Sequence, residues 1–374
     1  MKIHTSFKRA FPVSAVWFGA LVGPSMISGA FASVYFAPYG KFGLILPFIS
    51  MGTASIIIFF GMLGVCHFKV YDYSSYARKL YGKYSPILAP LLEIYIILAM
   101  LIGGSAVISM GSTFFSSIFP VSSLVGGIIM AVLSSILVLW GADLLRKSST
   151  VMTVLLVAGF LFIALFCIFH SQPELSQIFK TPSSQSQPEL FSAIKGAVLL
   201  GLSNASNAIT LCSVAQNINT SNDAKMVGII SFFLNSFAFI CSTLILLPYI
   251  PEILSCDTPV LQILLDTSST CRPVLIVIYN LIMFLGLVSS GAPQLNAVTY
   301  RMYPLYPDRG IFHKSVVRNL ITSIIYMTAC IFISFLGLQT IINKGYQFLG
   351  NFALFLIVIP LCIIFPVRLH NNKK

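Results

Sequence analysis

Two short stretches hold the residues best suited to gripping a small ligand: GPSMISGA, Gly23 to Ala30, and GLSNASNA, Gly201 to Ala208. Both lie inside apolar runs, yet both are built from glycine, serine, asparagine and proline, which interrupt a helix more readily than they extend it. A helix that opens inside a membrane frees carbonyls and amides, tolerable only where the opening lines a cavity or is covered by protein. The half-helix after an opening offers amides and a positive dipole end to an anionic group, and carbonyls before it can hold a cation. A solute bearing a carboxylate, travelling with a cation, matches that geometry. The same small residues also suit close approach of two helices, so both uses stand at this point.

Ionisable and polar residues at membrane depth are the other candidates. Glu93 lies about seven residues beyond Pro86, roughly 10 Å along a helix at the standard rise; it either carries a proton or reaches a cytoplasmic vestibule. Lys195 either snorkels to the outer surface or draws an anion into an outer vestibule. Asp143 beside Arg146 and Lys147 suits a surface ion pair or a gate contact. Tyr95 and Tyr279, at matched repeat positions, suit core packing or interface anchoring, and Asn235, Asn280 and Asn351 need partners that neighbouring helices can supply. His4, His67, His170, His313 and His370 fall at span ends or termini, with no HExxH, no Ser and His constellation and no GxxxxGK[ST] loop. Neither an enzyme nor a nucleotide-driven pump is indicated, and no cofactor beyond a coupling ion. The cysteines form no CxxC pair, but Cys256 and Cys271 share one outer loop in which a disulfide is possible.

The elements that position these residues follow from hydropathy. The chain has 374 residues, 57% hydrophobic and only 9% charged, with mean hydropathy +0.92, which leaves too little polar surface for a soluble globule. Spans of about 20 apolar residues fall near 11–36, 42–66, 86–115, 120–141, 148–169, 190–216, 226–250, 272–300, 315–338 and 346–367. The stretch from Tyr71 to Tyr84, aromatic and basic, suits a helix lying in the interface. With the N-terminus inside, 17 of the 22 lysines and arginines fall on the inner side, which fits a cell membrane location with both termini cytoplasmic. The net charge of +12 is then a property of basic loops and calls for no nucleic acid; the expected partners are a small solute and membrane lipid.

A shift of 178 residues lays Gly23–Ala30 over Gly201–Ala208, and a related shift lays Glu93–Leu101 over Val277–Leu285. Spans 1 and 6, and spans 3 and 8, thereby correspond. Five spans are an odd number, so the second copy enters from the opposite side, as in secondary transporters built from inverted repeats. The expected fold is all-α: one domain over 1–374, with a first repeat at about 11–169, an outer loop at 170–189 and a second repeat at 190–367.

At these residues the sequence resembles the transporters of the LeuT-type fold, the amino acid, polyamine and organocation superfamily, and within it the YkvI-like bacterial membrane proteins. The resemblance rests on GALVG (Gly19 to Gly23), YGKFGLILP (Tyr39 to Pro47), GLSNASN in span 6, DTPVLQIL (Asp257 to Leu264), similar to an outer re-entrant helix, and GLVSSGA (Gly286 to Ala292). It implies helices 1 and 6 unwound in mid-membrane. It implies cation ligands from the carbonyls of Gly19, Val22 and Leu285 and the hydroxyl of Ser289, with Val288 where a further hydroxyl is often found and Ser290 as a substitute. Substrate contacts would come from Gly23, from the amides of Ser25 and Met26, and from Tyr95, Gly201, Ser203, Asn204 and Asn207, with Glu93 a candidate for proton coupling. The implied activity is uptake or exchange of an amino-acid-like solute, coupled to sodium or protons. A receptor subunit of the same fold, as in spore germination, is the alternative.

Overall fold

The structure, a computed structural model, describes residues 2–21, 23–140, 142–180, 187–302, 305–307 and 315–371, and it is helical throughout. Large apolar side chains stand outward along the helices, among them Ile87, Val277, Phe332 and Phe355, each more than 65% exposed. Such a surface fits lipid and would aggregate in water. Among the described residues seven helices are by themselves long and apolar enough to cross a membrane, eight if one bent pair is joined.

The first apolar run is three pieces. Helix α1 (Lys2–Leu21) ends before Gly23, which is extended (φ −99°, ψ −170°), and Pro24 opens α2 (Pro24–Ile27), a position where its missing N–H costs nothing. Gly29 then takes a left-handed turn (φ 83°) into α3 (Ala30–Tyr35). A side chain there would be strained by that φ and would crowd Leu246 and Val260 at 3.1 Å. Carbonyls freed by the double break find partners within protein: Ser28 O accepts from Val260 N–H at 3.0 Å, and Met26 O accepts from the Ser242 hydroxyl at 3.4 Å.

Helix α4 (Leu46–Phe68) is followed by α5 (Tyr73–Tyr81), the short interfacial segment, whose N-cap Asp72 accepts from Ser75 N–H at 2.8 Å. Then come α6 (Ser85–Ile118), α7 (Ser123–Trp140), α8 (Ala142–His170) and α9 (Gln172–Lys180), the last two bent by 68°. The chain continues with α10 (Gln187–Ser203), the one-turn α11 (Asn207–Thr210), α12 (Ser221–Leu246), α13 (Pro259–Asp266), α14 (Arg272–Met302), α15 (Ser315–Ser334) and a final apolar stretch, Leu338–Arg368. Helix α13 occupies the place of the expected outer re-entrant helix. Helix α4 lies against α12, and α6 against α14.

Span 6 departs from expectation. Its chain does not uncoil at Gly201–Ala208; it tightens to a 3₁₀ turn at Asn204–Ser206, with Ser203, Ser206 and Asn207 all in right-handed helical conformation. The reason is local. The Ser203 hydroxyl (2.7 Å) and the Asn204 amide (3.0 Å) both donate to Leu200 O, so side chains cap the carbonyl that an uncoiled gap would expose. Gly201 has a different task from ligand binding, since a Cβ on it would stand 2.4 Å from Ser50 O. Close packing of α10 on α4 therefore accounts for this glycine. Cys256 and Cys271 are free thiols, so the disulfide that the sequence leaves possible is not formed. The side chains of Asp143, Arg146 and Lys147, and all of Val22, lie outside the described residues.

Candidate functional site

A cavity of ≈ 540 Å³ lies where α1, the break, α6, α10, α14 and the last span converge, within the size range of small-molecule sites. The break contributes Gly23, Pro24 and Ser25; span 6 contributes Ser203, Asn204, Ser206, Asn207 and Thr210; and α14 contributes Ser290, Pro293, Gln294 and Arg301. Gly23 fits closely under α14, because a Cβ on it would meet Ser290 Oγ at 3.1 Å. Ser25 Oγ reaches Met110 Sδ at 3.7 Å. The two asparagines form a pair, Asn207 Nδ2 donating to Asn204 Oδ1 at 3.4 Å.

Six of the expected residues thus share one wall: Gly23, Ser25, Ser203, Asn204, Asn207 and Ser290. The others do not reach it. Met26 is fully buried and its N–H already donates to Gly23 O at 3.1 Å. Tyr95 is fully buried behind span 6, its hydroxyl donating to Ser203 O at 3.4 Å, so it positions that helix from outside the cavity. Gly19 and Leu285 are half-buried away from the cavity, and Ser289 donates to Gly286 O of its own helix at 3.1 Å. Lys195 is exposed, and Tyr279 is buried in the core. Asn235 and Asn351 bond carbonyls of their own helices.

Three wall residues of α14 escaped the sequence reading. Gln294, Ala297 and Arg301 follow the expected Ser290 at intervals of three or four residues, so one stripe of α14 faces the cavity. That periodicity, with a glutamine inside an apolar span, was the available signal. Gln294 Oε1 is buried without a hydrogen-bond partner, as is Trp17 Nε1, and both residues belong to the wall. Gly103 makes room for the Gln294 amide, since a Cβ there would lie 3.0 Å from Oε1. Arg301 is the sole charged residue among those that line the cavity. Its Nε stands 3.3 Å from Glu93 Oε2, with the side chains 22% and 40% exposed, and its guanidinium lies over the Tyr73 ring at 5.3 Å. Glu93 is thus partnered by Arg301 across the cavity rim.

The cavity is shut on one side by buried aromatics. Phe31 meets Tyr346 edge-on at 5.1 Å and Phe239 at 6.0 Å. Elsewhere Ala20 and Pro293 are exposed wall residues. Among the described residues no three His, Cys, Asp or Glu side chains gather as a metal site.

In sequence, neither a family model nor a curated protein matches the chain. In structure, it is similar to the manganese transporter of Eremococcus coleocola (18% identity, 95% of this chain and 78% of that one, TM-score 0.62). It is similar also to a Na+-coupled sialic acid symporter (12% identity, 96% and 79%, TM-score 0.64) and to MhsT, solved with L-phenylalanine (15% identity, 96% of both chains, TM-score 0.61). These neighbours are membrane transporters, not enzymes, with cargoes as different as a metal ion and a sugar acid. What the chain shares with them is their architecture, the LeuT-type transporter fold.

Proposed function

We propose that the chain is a secondary transporter that carries a small amino-acid-like solute, zwitterionic or anionic, by alternating access. The observation that carries this reading is the charge and polarity of the central wall. Arg301, the one charged side chain among the described lining residues, is set among serines, asparagines and a glutamine, and Gln294 Oε1 and Trp17 Nε1 are buried without partners. Once released by Glu93, the Arg301 guanidinium repels a metal ion or an amine and attracts a carboxylate, and a polar solute offers partners to the orphaned Gln294 and Trp17 atoms. In this reading the ten segments form two inverted five-helix repeats in a single domain in the cell membrane, both termini cytoplasmic, and the present conformation is closed at Phe31 and Tyr346.

Proton coupling through Glu93 fits the geometry. A proton on Glu93 removes the charge that holds Arg301 and leaves the guanidinium to a bound carboxylate. Sodium coupling through Gly19, Val22, Leu285, Ser289 and Ser290 is the competing assignment, supported by the nearness of Ser290 to the break. Counterflow of labelled amino acids into proteoliposomes, with imposed pH or sodium gradients, tests both. Solute uptake driven by one gradient is expected, and Glu93→Gln is expected to abolish the response to pH. Saturable binding without any flux would overturn transport in favour of a receptor, and a Glu93→Gln protein with an unchanged pH response would overturn the proton assignment.

A further inference from the structure

A second cavity of ≈ 860 Å³ lies between the interfacial helix α5 and the first turns of α6, outside the central site. Its mouth is basic. Arg78 and Lys83, both exposed, line it with the hydroxyls of Ser74 and Ser85. The neighbouring cations are otherwise engaged: Lys79 Nζ donates to Phe68 O (2.9 Å) and Arg368 Nη1 to Leu80 O (3.1 Å), pinning α5 to the core. Gly82, with φ 55°, makes the turn that brings Lys83 round beside Arg78. Among the described residues neither Arg78 nor Lys83 stands in an ion pair. Glu93, the acidic member of the lining, is held by Arg301 at 3.3 Å.

Below the mouth the wall is apolar. Pro86, Pro90 and Ile94 recur every four residues on one face of α6, and Ile87, Leu91 and Ile94 are 69%, 39% and 52% exposed on the protein surface beside it. From Ser85 to Ile94 the helix rises about 14 Å, close to the hydrocarbon depth of one leaflet, roughly 15 Å. A ligand that fits has an anion at the interface and an acyl chain alongside α6. We infer that this pocket binds one anionic phospholipid, with its phosphate between Arg78 and Lys83 and its chain against Pro86, Pro90 and Ile94. Basic pockets at the interfacial ends of spans recognise such head groups.

Native mass spectrometry of the purified full chain, titrated with dihexanoyl phosphatidylglycerol, dihexanoyl phosphatidylcholine, glycerol phosphate and inorganic phosphate, tests the proposal. Phosphatidylglycerol is expected to bind more tightly than the other three. The Arg78→Gln/Lys83→Gln protein is expected to lose about 25-fold in that affinity, roughly fivefold for each interfacial cation, and Lys180→Gln, at the end of α9, to lose none. Equal binding of phosphatidylcholine, or binding of inorganic phosphate as tight as that of the lipid, would overturn it. Both comparisons use the unaltered protein, so they stand even if the double variant fails to fold. A folded double variant with unchanged lipid affinity would overturn it equally.

Discussion

Replacing Gln294 with leucine is expected to move stability and binding in opposite directions. The Gln294 Oε1 atom is buried without a partner on the cavity wall, in space left by Gly103. A buried carbonyl in that state costs the unliganded fold about 1–3 kcal/mol. Leucine removes the penalty, so the empty protein is expected to melt at the same temperature or higher. A solute that supplies a charged donor loses a hydrogen bond worth about 1.5–3 kcal/mol, which weakens its affinity roughly ten- to hundred-fold. Trp17 lies in the same wall and is one of only two tryptophans, so its fluorescence in a Trp140→Phe background reports occupancy, while thermal melting of the empty protein reports the fold. A Gln294→Leu protein that melts several degrees lower would show that the amide already has a partner. One that binds the solute as tightly as the parent would remove Gln294 from the site. Either result refutes the reasoning.

Gly201→Ala tests the assignment of that glycine to helix contact. Its Cβ would stand 2.4 Å from Ser50 O and 2.8 Å from Thr53 Cβ, so an overpacking loss of about 1–3 kcal/mol is expected as a lower melting temperature even without solute; unchanged melting would return Gly201 to the list of ligand contacts. Asp72→Ala tests the cap of α5 and its pH dependence. The Ser75 backbone N–H, followed by its hydroxyl, holds the Asp72 carboxyl below the usual carboxylate range. A folded-state value below the unfolded one contributes stability at neutral pH that fades as the pH falls through it. The cap at full ionisation is worth about 1 kcal/mol, and the exposed position of Asp72 makes that an upper value. Melting of parent and Asp72→Ala proteins is expected to differ at pH 7 and to converge as the pH falls through the lowered carboxyl value, and a constant difference down to strongly acidic pH would contradict the cap.

The amino-acid order by itself determined the membrane class, the approximate place of the long apolar helices and the break in span 1, because each is local. Hydropathy over about 20 residues dictates a span, and the sequence Gly23, Pro24 and Gly29 restricts φ and removes an N–H within a few positions. The same local logic misjudged span 6. Glycine, serine and asparagine serve equally to open a helix or to let one helix approach another, and the choice was made by α4, whose Ser50 and Thr53 press against Gly201, and by the side-chain caps on Leu200 O. Only the tertiary structure could turn the Ser290, Gln294 and Arg301 stripe of α14 inward or bring Arg301 to Glu93. A contact between residues some two hundred positions apart leaves no periodic trace in either segment. Where a polar side chain points is decided by which helix lies beside it.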